Sequence, residues 1–245
     1  MTIRKALYIL SLIVFLTSFG PPILTEIVPR SNPVAISLGE AIDLLTPFFF
    51  IGGIILVLEQ IRRRRAGQDL GYSDAFPFGL AIIFGILMTS GQGMHLSSNS
   101  LSHFLSERNH GDIYWLNYLY DEVISHYMWH VGAFGLSAAV ALYQLKYPLK
   151  GPSVSTLSLL PAAVLVAFTF AFASTEGETI PAIMPMTLIG LLGYMTVIKL
   201  RGLSLAQRPM LMFSILYYVL MLLAWSAYAI AFGGFMPPLT LLGRG

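Results

Sequence analysis

Seven long apolar stretches, separated by short polar connections, run the length of the chain. They fall at about 5–28, 37–60, 76–104, 113–145, 153–174, 180–199 and 209–233. A helix needs roughly 20 apolar residues to cross the hydrocarbon core of a bilayer. The pattern therefore predicts an all-α, polytopic transmembrane bundle of seven helices, with residues 1–245 forming a single integral membrane domain. Pro21-Pro22 is expected to kink the first helix. The third and fourth stretches exceed a minimal span, so they should tilt or project from the membrane. Pro77 opens helix 3, Pro148 and Pro152 flank the loop after helix 4, and Pro181 opens helix 6, each where a breaker belongs. The join at 104–113 reads as a tight turn or a short surface helix. Residues 1–20 also read as a signal peptide, with Arg4 and Lys5 before an apolar run but no clear small-x-small cleavage site. Cleavage would leave six helices in the same orientation. No strand pattern, internal repeat or low-complexity tract interrupts the series.

Composition agrees with that picture and removes several chemistries. The chain is 56% hydrophobic and 11% charged, with mean hydropathy +0.74, which leaves no room for a sizeable soluble domain. It has no cysteine, so thiolate metal sites, disulfides and thiol catalysis are excluded. The net charge of +2 is small, but its distribution sets the orientation. Arg4, Lys5, Arg62 to Arg65, Lys146, Lys150, Lys199, Arg201 and Arg208 fall on one side, eleven of the fourteen basic residues. Arg30, Arg108 and Arg244 fall on the other. Basic loops stay cytoplasmic, so the N-terminus is expected inside and the C-terminus outside, in a plasma or inner membrane. Arg62 to Arg65 read as a stop-transfer anchor, with lipid-headgroup binding as the alternative. Acids show the opposite bias. Glu26, Glu40, Asp43, Glu107, Asp112, Asp121, Glu122, Glu176 and Glu178 lie outside, and Glu59, Asp69 and Asp74 lie inside. Such an outer surface attracts cations. The basic residues form no nucleic-acid surface, and the sequence identifies no protein partner.

All five histidines, His95, His103, His110, His126 and His130, lie on the outer half. Four keep helical spacing: His95, Asn99 and His103 on helix 3, then Glu122, His126 and His130 on helix 4. Residues four apart share a helix face. Ionisable groups beside a bilayer are costly, so such a cluster marks a site. If helices 3 and 4 pack as antiparallel neighbours, His95 faces His130, Asn99 faces His126 and His103 faces Glu122. One turn rises about 5.4 Å, so His126 and His130 can grip one ion, with His95 as third ligand and His103 in reserve. Glu122 stands on the histidine face as general base or orienting partner. Asp121, turned roughly 100° away on a regular helix, is the second candidate. Ser90, Asn99, Glu40 and Asp43 are candidates for the surrounding shell, and Gln92 adds a further polar group on helix 3.

Other uses of these residues remain open. The histidines could be interhelical hydrogen-bond partners, or His95 and His130 axial haem ligands. A second metal could sit between His103, Glu122 and a helix 2 carboxylate, as in di-iron bundles. His110 reads as a solvated loop residue, and Glu40 as a complement to a helix dipole. Tyr114, Trp115, Tyr118, Tyr120 and Tyr127 read as an interfacial belt. Phe48 to Phe50 read as lipid-facing or packing residues, and the methionines of helices 6 and 7 as gap-fillers.

The stretch His126-Tyr127-Met128-Trp129-His130 resembles the HxxWH motif of alkaline ceramidases and the HxxxH motif of the wider CREST superfamily, which includes progestin/adipoQ-type receptors. The small residues of Val131-Gly132-Ala133-Phe134-Gly135 add to the likeness. The resemblance implies seven transmembrane helices and a zinc ion held by the two motif histidines and a third from another helix. Carried over, these are His126, His130 and His95, in a membrane amidase acting on lipid amides. Here the motif stands on the fourth segment, whereas in that family it stands on the last helix. Gly91, four residues before His95, replaces the family's serine.

The sequence thus leads to an integral membrane metalloenzyme, a zinc-dependent hydrolase of a lipid or other amphiphile, with its site in the extracytoplasmic half. Membrane lipid is both its surroundings and its expected substrate. One alternative is a non-haem iron or copper redox enzyme acting on lipid. Another is a non-catalytic metal-binding receptor, transporter or subunit of a membrane complex.

Overall fold

The computed structural model describes residues 1–28, 36–65, 75–105, 107–150 and 153–236. Arg30, Asp69, Asp74, Pro152 and Arg244 lie outside these residues, as do the side chains of Glu26 and Glu107. The described residues are all helical in their regular structure, with a single isolated backbone bridge between Arg65 and Leu149.

Helix α1 spans Ile3–Ile27 and is capped by Thr2, whose hydroxyl accepts the Lys5 N–H at 3.3 Å. It carries Pro21 and Pro22 inside its last turns. The expected second segment is broken in two, α2 (Leu38–Asp43) and α3 (Thr46–Arg64). Proline clashes with the carbonyl four residues back, and for Pro47 that residue is Asp43, where α2 stops. A capping box opens α2: the Glu40 carboxylate accepts the Ser37 N–H at 2.6 Å, and the Ser37 hydroxyl accepts the Glu40 N–H at 3.1 Å.

Helix α4 spans Ala75–Ser102, and two short helices follow, α5 (Glu107–His110) and α6 (Asp112–Tyr118). A π-helical stretch, Leu119–Ser125, continues α6 into α7 (His126–Lys146). The join expected as a turn or surface helix thus holds α5. Helix α8 spans Leu160–Glu176, 17 residues in place of the expected start at 153. The polar run before it folds into a turn closed by the Ser158 hydroxyl donating to Ser155 O at 2.7 Å. Helix α9 spans Ile180–Arg201 and α10 spans Pro209–Phe232.

Among the described residues, five stretches are long and apolar enough to cross a membrane: Ile3–Thr25, Leu38–Arg64, Ala75–Ser102, Ile180–Arg201 and Pro209–Phe232. Helix α8 is apolar but shorter, and the apolar run of α7 is diluted by His126, His130 and Gln144. The outer surface is apolar, as a bilayer demands. Phe48 and Phe49 are exposed, whereas Phe50 is buried, as are Met88, Met210, Met212 and Met221.

Helices α4 and α7 pack along most of their length, and glycines set their register. A Cβ on Gly91 would come 2.6 Å from Trp129 N and 2.7 Å from Ser125 O. Gly132 lies against Met88, and Gly135 lies against the Phe84 ring. Small residues let membrane helices approach this closely.

The basic end of the bundle is tied by backbone hydrogen bonds between loops. Leu149 N–H donates to Gln207 O at 2.8 Å, Lys150 N–H to Arg64 O at 2.8 Å, and Val154 N–H to Ala206 O at 3.0 Å. The buried Gln144 side chain accepts the Met210 and Leu211 N–H groups at 2.5 and 3.1 Å, closing the α10 N-terminus onto α7.

Candidate functional site

The glycine register puts His95 level with residues 121–126 of the facing element, about one turn from the expected apposition with His130. The His95 and His126 rings lie 4.9 Å apart, and the His126 and His130 rings 6.2 Å apart. His95 Nδ1 lies 2.8 Å from Asp121 Oδ1, and the Asp121 side chain is 6% exposed. Glu122 is 46% exposed and reaches His126 Nδ1 at 3.7 Å. The π-helical stretch explains this exchange of roles. Its hydrogen bonds run from i to i+5, so Asp121, five before His126, shares the face that a regular helix would give to Glu122. The Ser125 hydroxyl, which is buried, bonds back to Asp121 O within the same stretch.

The turn between α8 and α9 supplies a partner that sequence reasoning missed. The Thr179 hydroxyl, fully buried, lies 3.0 Å from His130 Nδ1. Gly177 in the same turn packs on both motif histidines: a Cβ there would come 3.0 Å from His126 Nδ1 and 3.0 Å from His130 Cε1. Glu178 adopts a left-handed backbone, φ 51°, which bends the chain from α8 to α9. The signal in the sequence was the segment Thr175-Glu176-Gly177-Glu178-Thr179, a glycine among polar residues between two apolar helices.

His103 and Asn99 are drawn away from the histidine pair of α7. The Asn99 amide donates to Glu40 Oε1 at 3.0 Å, and His103 Nε2 lies 3.5 Å from the same oxygen. These contacts join α2 to α4. Asp43 accepts the Thr46 hydroxyl at 2.7 Å and the Gln92 amide at 2.8 Å. Ser90 and His110 are exposed.

A cavity of about 360 Å³ runs between α1, α3, α4, α7 and α8. His95, His126, His130, Asp43 and Gln92 form its polar side, and Phe19, Pro22, Ile23 and Phe172 its apolar side. Among the described residues, no three His, Asp or Glu side chains converge closely enough to hold one ion as they stand. The donor set nevertheless suits a metal. A ligating histidine usually gives its other ring nitrogen to a carboxylate, carbonyl or hydroxyl. Thr179 meets His130 at Nδ1 in this way, whereas Asp121 Oδ1 stands 2.8 Å from His95 Nδ1 without the alignment of a hydrogen bond. His126 Nδ1 is buried with no hydrogen-bond partner. Comparison with known protein families, with curated proteins and with solved structures finds no match to this chain.

Proposed function

We propose that the chain is a seven-helix integral membrane metalloenzyme, N-terminus inside and C-terminus outside, that hydrolyses a lipid or other amphiphile in its extracytoplasmic half. The observation that carries this reading is that three imidazoles line one cavity, His130 held through Nδ1 by Thr179 and His95 beside the buried Asp121, with an apolar side formed by Phe19, Pro22, Ile23 and Phe172. Such a combination of convergent polar groups and apolar lining is what small-molecule sites share. His95, His126 and His130 are the proposed ligands, and zinc is the proposed ion, with iron or copper as alternatives that imidazole also serves. Zinc so held supplies a bound water acidified to a pKa of about 7. Asp121 orients His95 and Thr179 orients His130. Glu122, at the exposed rim beside His126, exchanges protons with solvent. The HxxWH resemblance supports the same ligand pair.

Protein purified in detergent should hold about one zinc per chain, the stoichiometry of a single three-ligand site. His126→Ala with His130→Ala should abolish it, and an unchanged zinc content in that variant would overturn the proposal. A second reading has its own support: His95–Asp121, His103–Glu40 and His130–Thr179 each tie two elements together. If the histidines serve only as such ties, chelation leaves stability and activity unchanged.

A further inference from the structure

The α1 wall of the cavity has an arrangement that the metal reading does not use. Proline has no N–H to give to the carbonyl four residues back. Pro21 and Pro22 therefore release the carbonyls of Thr17 and Ser18 from the helix ladder, and Thr17 and Ser18 both line the cavity. Membrane proteins tolerate broken helices of this kind where the freed groups line a site.

The remaining lining has the same character. Among the described residues its charged members are Asp43 and Glu176, and no lysine or arginine lines it. Most of its donors are already engaged inside the protein. The Thr17 hydroxyl donates to Ile13 O at 2.8 Å, and Thr46 and Gln92 donate to Asp43 at 2.7 and 2.8 Å. Each Asp43 oxygen has one such donor, and an ionised carboxylate has about four acceptor positions. Ser18 Oγ and Trp129 Nε1 are buried without partners; a hydroxyl can give to one group and accept from the other. Without a metal, the lining formed by the described residues is therefore rich in acceptors, acidic, and has no lysine or arginine to neutralise phosphate.

The apolar part of the lining, shared by α1 and α8, is continuous with the lipid-facing surface. Phe19 stacks with Phe168 at 6.0 Å and meets Phe172 at 5.1 Å. Phe168 and Ile23 are 54% and 55% exposed. A volume of about 360 Å³ leaves room for a head and the first part of one chain.

We infer that the cavity binds a single-chain amphiphile whose head carries N–H or O–H donors and no anionic group, its chain leaving along Phe19 and Phe172 between α1 and α8. This assignment rests on the proposed function in taking the histidine cavity as the substrate site, but the binding itself needs no metal. The test uses the full-length protein, stripped of metal by a chelator, in phosphatidylcholine nanodiscs and diazirine-labelled dodecylamine, dodecanol and dodecyl phosphate. The amine and alcohol should label α1 and α8 near Phe19 and Phe172, and unlabelled dodecylamine should compete. Dodecyl phosphate should label there at least tenfold less. Asp43→Asn should cut amine labelling about tenfold, and Phe19→Trp should block it. Equal labelling by the phosphate probe, or labelling spread over the whole lipid-facing surface, would overturn the assignment. Zinc content of the wild type separates the two ideas. Site labelling in a wild-type protein that holds no zinc leaves this assignment standing and removes the metal, whereas zinc bound without site labelling does the reverse.

Discussion

Gly91→Ala tests the coupling between the α4–α7 seam and the histidines. The added Cβ would sit 2.6 Å from Trp129 N and 2.7 Å from Ser125 O, and both are backbone atoms that cannot rotate away. Ordinary contact begins near 3.4 Å, so the helices must part by about 0.8 Å at this level. Forced overpacking of this kind costs about 1–3 kcal/mol, or a fall in Tm of roughly 2–12 °C for a chain of this size. His95 lies one turn further along the same face, so its separation from His126 must grow as well. A displacement near 1 Å at a reacting centre can cost about a hundredfold in rate. Thermal unfolding in detergent, followed by zinc content, reads both effects. Gly93→Ala is the control, because a Cβ there meets nothing within 4 Å. Alanine favours a helix by about 0.5–1 kcal/mol over glycine, so that variant should be neutral or slightly more stable. If Gly91→Ala melts and binds zinc as Gly93→Ala does, the seam does not position the site.

Two further substitutions follow from the site. Thr179→Val should leave the buried His130 Nδ1 without a partner, at a cost of about 1–3 kcal/mol in stability, and Thr179→Ser should restore most of it in thermal unfolding. Asp121→Asn should weaken zinc affinity about 10–100-fold in chelator competition, the usual cost of losing an orienting partner, while Glu122→Gln should keep zinc content and lower turnover. Equal effects of the two on zinc affinity would remove the role given to the π-helical face.

The apolar periodicity of the sequence was sufficient for an all-helical chain with membrane-spanning helices, because in lipid the backbone must satisfy itself within each segment. Details that depend on local exceptions were harder to see. Pro47 carried enough information to split the second segment, since its clash falls on Asp43. The π-helical stretch had no comparable signal: Leu119-Tyr120-Asp121-Glu122 reads as ordinary helix, and one extra residue per turn exchanges Asp121 for Glu122. The register of α4 on α7 was legible only through Gly91, Gly132 and Gly135, whose backbone contacts outweigh any preference of the histidines for one another. Thr179 was missed because it lies in a turn distant in sequence from His130, where spacing rules have no reach. Glu40 could be found as a helix cap but not as the partner of Asn99 and His103, which needed the fold.

The tied loops at the basic end hold that end of the bundle closed. There, α3, α7 and α10 are joined through Arg64, Leu149, Lys150 and Gln207 by main-chain bonds, and through Gln144 by a side chain. At the histidine end, α1 and α8 enclose open volume and face each other through phenylalanine rings. The histidine end has ties of its own, from Glu40 to Asn99 and from Thr179 to His130, so the seam between α1 and α8 is where the bundle has room to admit a guest without breaking a polar contact.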